Sequence, residues 1–78
     1  MVKLDNIKRK GDWIEVLVQS LDLRPPQIYK MVFNYKTREF TCTIDNADPF
    51  DTHKVMYKLS SYIKNKKRLP KTDEINWG

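Results

Sequence analysis

The period of the hydrophobic pattern changes at Asp48-Pro49, and this change constrains the fold more than any other feature of the chain. Before it, apolar residues alternate. From Trp13 to Ser20, Ile14, Val16 and Val18 point one way while Trp13, Glu15, Leu17 and Gln19 point the other, which is the period of a half-buried strand. The run "LDLRPP" at 21–26 ends it, because two prolines cannot donate to a ladder. A second alternating run, 28–35, carries Tyr29, Met31, Phe33 and Tyr35 on its apolar side, and a third, 38–45, carries Phe40, Cys42 and Ile44. A reversal at Lys36-Thr37 sets Phe33 against Phe40, Met31 against Cys42 and Tyr29 against Ile44. All then fall on one face, which predicts a hairpin. The turn has neither Asn-Gly nor Asp-Gly, so a four-residue loop over 35–38 serves as well as a tight one.

After Asp48 the spacing becomes three and four. Asp48 can accept orphan amide protons, proline is tolerated at the first helical position, and Asp51 adds negative charge where the helix dipole favours it. Val55, Met56, Leu59, Tyr62 and Ile63 then form one apolar stripe. Pro70 disfavours helix at Leu69, which predicts a helix of about twenty residues ending near Arg68. In the first ten residues, Val2, Leu4 and Ile7 predict an edge strand that reverses at Lys10-Gly11, with a short helix capped by Gly11 as the alternative. The fold class is therefore α+β: a small antiparallel sheet of three or four strands followed by one long C-terminal helix packed across one face (ββββα or βββα). Residues 1–71 form a single domain and 72–78 a short C-terminal tail.

Several chemistries find no support. At 78 residues the chain is near the lower limit for a self-sufficient core, a size that also admits a homodimer. One cysteine, Cys42, excludes an internal disulfide, and with a single histidine it cannot build a zinc site of the usual composition in one chain. This cysteine usage, and an N-terminus without a signal-peptide apolar region, predict a cytoplasmic protein; no stretch is long enough to span a membrane. Two glycines, Gly11 and Gly78, leave no phosphate-cradling loop and no expected nucleotide cofactor. Asp45, Asp48 and Asp51 have the oxygen ligands of a hard-cation site, but capping explains them better and no metal is expected. His53 falls off the apolar stripe while Cys42 points into the core, so no catalytic pair is expected and the chain reads as non-enzymatic.

Charge is the remaining signal. The net charge is +5, yet Lys58 to Lys71 holds six cations and no acid, so the rest of the chain sums to −1. A smaller focus is Lys8-Arg9-Lys10. Cations in a last helical turn interact well with its carbonyls, but this run continues past Pro70, beyond the reach of that effect. The surplus points to an anionic partner. For nucleic acid the candidate residues are Lys8, Arg9, Lys10, Trp13, Lys30, Lys58, Lys64, Lys67, Arg68 and Lys71: cations to neutralise phosphates and an indole to stack a base. Trp13, Leu17, Lys30, Val32, Thr41 and Thr43 are expected to share the sheet face away from the helix.

At the level of topology alone, the order ββββα is similar to that of a class of small single-stranded DNA-binding domains. A three-stranded sheet followed by a helix looks like the arm-binding domains of integrases. Both resemblances imply nucleic-acid binding, and neither carries a residue over. The alternative is a small regulatory adaptor or inhibitor that docks on an acidic or edge-strand surface of another protein, using its tyrosines and tryptophans, Trp77 included.

Overall fold

The computed structural model describes residues 1–76, and their order is ββββαβ. Strands β1 (Val2–Lys10), β2 (Trp13–Ser20), β3 (Gln27–Asn34) and β4 (Phe40–Cys42) precede helix α1 (Pro49–Lys64), and β5 (Asp73–Ile75) follows it. Every pairing is antiparallel and the spatial order is β4-β3-β2-β1-β5. The predicted α+β sheet-then-helix architecture is present. Within the segment expected as a tail, residues 73–75 add a fifth strand beside Val2–Leu4. Trp77 lies outside the described residues.

The expected alternation sorts the two faces. Val2, Leu4, Ile14, Val16, Val18, Tyr29, Met31 and Phe33 line the inner face and are buried against Val55, Met56 and Leu59 of α1. The pairings Phe33 to Phe40 and Met31 to Cys42 are those the hairpin predicts. The loop between β3 and β4 is tied by Asn34, whose Oδ1 accepts from the amides of Lys36 and Thr37, while Arg38 takes a left-handed φ of 69°. Between β1 and β2, Gly11 supplies the positive φ of 61° that a two-residue hairpin turn needs.

The helix begins as predicted. The Asp48 carboxylate accepts from the Phe50 amide at 2.8 Å and Pro49 occupies the first turn. It ends four residues earlier than the proline suggests, at Lys64. Asn65 caps it, Lys66 turns into the left-handed region (φ 56°), and the Lys67 amide donates back to the Tyr62 carbonyl at 2.8 Å. This is the Schellman arrangement, here with a lysine where glycine is usual. Asp73 then anchors β5 to the helix by accepting from the Tyr62 hydroxyl at 2.8 Å and lying 3.7 Å from Lys58 Nζ.

The Tyr29 hydroxyl is one of the polar groups buried in the core. Burial is the main force pushing the Tyr29 phenol up to about 12, and nearby Cys42 adds to it; the Ser20 hydroxyl opposes the shift without completing a hydrogen bond. A raised phenol pKa means that the neutral form is the one the fold stabilises. Stability from this source is complete below pH ~10, the unfolded value, and is lost as pH rises towards ~12. Tyr29→Phe should therefore remove an alkaline loss on the order of 2–3 kcal/mol between those limits. Urea unfolding of both proteins at pH 9 and pH 12 measures the difference.

Candidate nucleic-acid interface

A bulge in β1 determines where the cations point. Val2 and Leu4 face inward, but Asn6 takes a left-handed φ of 51° and the register with β2 shifts between Asp5 and Lys8. Asn6 and Ile7 together then oppose Val16, so the parity of the strand inverts. Ile7 is buried and Arg9, paired with buried Ile14, lies on the helix side of the sheet. Lys8 and Lys10, paired with Glu15 and Trp13, lie on the outer side. A tripeptide that looks like a single cluster is thereby divided between two faces.

On the helix side, Arg9 meets the chain leaving α1. Ile7, Ile63 and Leu69 floor a groove of about 730 Å³ whose walls carry Arg9, Lys66, Lys67, Arg68 and Lys71. No acid lines it among the described residues. Arg9 is held in place: its Nε donates to the Gly11 carbonyl at 2.9 Å, its Nη2 to the Tyr35 hydroxyl at 3.1 Å, and its guanidinium lies 5.2 Å from the Tyr35 ring centre. The chain leaving the helix is tied too, since the Ile7 amide donates to the Lys71 carbonyl at 3.1 Å.

The groove continues round the sheet edge. A second depression, lined by Asn6, Ile7, Lys8, Lys71 and Thr72, shares Ile7 and Lys71 with it. A third, on the outer face, takes in Asn6, Lys8, Glu15, Leu17 and Lys30 and shares Asn6 and Lys8 with the second. Cations thus form a belt from the helix end, over the bulge, onto the outer sheet. Trp13, 41% exposed, stands on that outer face beside Lys10. Lys30 there is 3.8 Å from Glu15.

The structure therefore gathers Arg9, Lys67, Arg68 and Lys71 in the groove and joins Lys8 to them at the edge. Lys10, Trp13 and Lys30 belong to the outer face. Lys58 is placed elsewhere, against Asp73, and Lys64 lies on the opposite side of the helix end, near Arg38. Lys66 and the apolar floor were not anticipated. The sequence signal for them is faint: the Val2, Leu4, Ile7 spacing of two and then three betrays the bulge, while nothing marks Lys66 as left-handed. Of the other groups considered, Tyr29 is buried, which removes it from any docking surface, and His53 is exposed. Burial pushes the Cys42 thiol up, which disfavours the thiolate.

Seen whole, the charge is polar. Segments 8–12, 34–39 and 61–71 hold ten of the fifteen cations and two of the ten acids, +8 against −3 for the remainder. These segments meet at one end: the Tyr35 amide donates to the Asp12 carbonyl, Arg9 packs on Tyr35, and Arg38 lies beside Lys64 and Asn65. Asp22, Asp45, Asp48 and Asp51 belong to the remainder.

A left-handed lysine is strained by roughly 1–2 kcal/mol, and glycine is not. Lys66→Gly should raise stability by about 1 kcal/mol in urea unfolding while weakening retention on a polyanion column more than Lys3→Ala, which removes one charge far from the groove. The chain matches no protein-family model, no curated protein and no solved structure.

Proposed function

We propose that this protein binds single-stranded nucleic acid, its backbone following the cationic belt from Arg68 over Lys71 to Lys8 and a base stacking on Trp13. The observation that carries this reading is the acid-free groove of five cations, continuous with the outer sheet round the β1 bulge. Cations at such density repel one another and are best accounted for by a polyanion. The path also selects the strand type. It turns from one face of the sheet to the other within a molecule 35 × 26 × 19 Å in extent. A duplex, with a persistence length of about 150 base pairs, resists such a turn, whereas a flexible strand follows it. An exposed indole offers a stacking platform that is tolerant of base identity.

The alternative, docking on an acidic protein surface, draws on the same cations and on the exposed outer-face residues Trp13 and Ile28. Anisotropy titrations of a labelled single strand across a salt series separate the two. With about five phosphates engaged, log K should fall against log salt with a slope near −3.5, and Lys67→Ala with Arg68→Ala should flatten it by about 1.4. Lys58→Ala, which removes the cation beside Asp73, should leave the slope unchanged. Trp13→Ala should lower affinity by about 1–3 kcal/mol at every salt concentration. No binding of the single strand at low salt would sink this reading and direct attention to protein partners.

A further inference from the structure

A second, smaller cationic pocket lies on the other side of the helix end. It is lined by Arg38 from the β3–β4 turn and by Tyr57, Ser60, Ser61, Lys64 and Asn65 of the last turns of α1 and its cap, with a volume of about 220 Å³. Two cations, three hydroxyls and an amide line it, with no acid among the described lining residues. Neither Arg38 nor Lys64 forms an ion pair among the described residues.

Ser60 is the informative residue. It is only 6% exposed, yet its hydroxyl has no hydrogen-bond partner among the described residues. Ser61, one position on, satisfies its own hydroxyl locally by donating to the Lys58 carbonyl at 2.6 Å. A buried hydroxyl left unpaired beside two unpaired cations is a donor waiting for an acceptor. The helix end opposes an anion with about half a negative charge, which two full cations outweigh.

We infer that Arg38, Ser60 and Lys64 form a phosphate-binding pocket separate from the groove. Arg38 supplies a planar fork of donors for phosphate oxygens, Lys64 a point charge, and Ser60 a neutral donor at the base. The volume is below the roughly 300–1,000 Å³ of pockets for drug-sized ligands, so the pocket suits a phosphoryl group rather than a whole nucleotide. The natural source of that phosphate, a nucleic-acid strand, rests on the reading above; the pocket itself does not.

The test is a titration of the full isotopically labelled chain with inorganic phosphate, against chloride at fixed ionic strength, read at each backbone amide. Saturable shifts at residues 38, 60, 61 and 64 are expected, with Arg38→Gln and Ser60→Ala each weakening them about tenfold or more. Ser60→Ala should also melt higher than the parent in phosphate-free buffer, and lose that advantage in saturating phosphate. Shifts that do not saturate, that follow Lys66 to Lys71 alone, or that survive Arg38→Gln would overturn the pocket. A parallel arm compares a single strand with and without a 5′-phosphate. A preference for the phosphorylated strand that Arg38→Gln abolishes assigns a terminal phosphate, and an equal loss for both strands assigns a backbone phosphate. Phosphate bound without any strand binding keeps the pocket and ends the nucleic-acid reading; strand binding unaffected by Arg38→Gln keeps that reading and overturns the strand as the source of the pocket's phosphate.

Discussion

One helix has to cover one face of the sheet, and the remaining structure accommodates that constraint. Sixteen residues of α-helix reach about 24 Å and span about 10 Å in width, while five strands spaced about 4.8 Å apart are roughly 19 Å across. The helix closes the centre of the inner face, where Val55, Met56 and Leu59 meet Ile14, Val16, Val18, Met31 and Phe33. The flanks need other cover. On the β1 side it comes from the chain after the helix, with Leu69 packed on the core and Asp73–Ile75 paired with β1. The cationic exit segment is therefore held against the sheet by the same contacts that complete the core.

The bulge at Asn6 links that packing to surface chemistry. Without the inversion, Lys8 and Lys10 would share the parity of Leu4 and face the helix, and Arg9 would point outward. With it, Ile7 fills the core below Leu69 while Arg9 reaches Tyr35. Two short edge strands, β4 and β5, limit the unpaired backbone that the sheet presents, a common protection against edge-to-edge association.

Most of the fold was legible because its signals are local and periodic. The alternation in 13–20 fixed β2 to the residue, the facing pairs Phe33–Phe40 and Met31–Cys42 fixed a register, and Asp48-Pro49 marked the helix start. The helix end was misjudged because a proline sets only an outer limit, whereas the termination lies in backbone hydrogen bonds that leave no compositional trace at Lys66. The short β5 has too few residues to show a period, and its pairing with Val2–Leu4 is accompanied by long-range contacts of Tyr62 and Lys58 with Asp73. The site was legible as charge but not as geometry. Counting lysines found the basic run; which of them share a surface depended on one left-handed asparagine and on a long-range contact between Ile7 and Lys71.

The separation of charge between the two ends of the molecule acts before any contact forms. A body with +8 gathered at one end and −3 over the rest experiences a torque in the field of a polyanion, since its ends are pushed in opposite directions. Within a Debye length, about 8–10 Å at ordinary ionic strength, it is turned basic end first. Fewer collisions with such a polyanion are then wasted on the acidic side, and the helix exit with its neighbouring turns is the part of the molecule that leads.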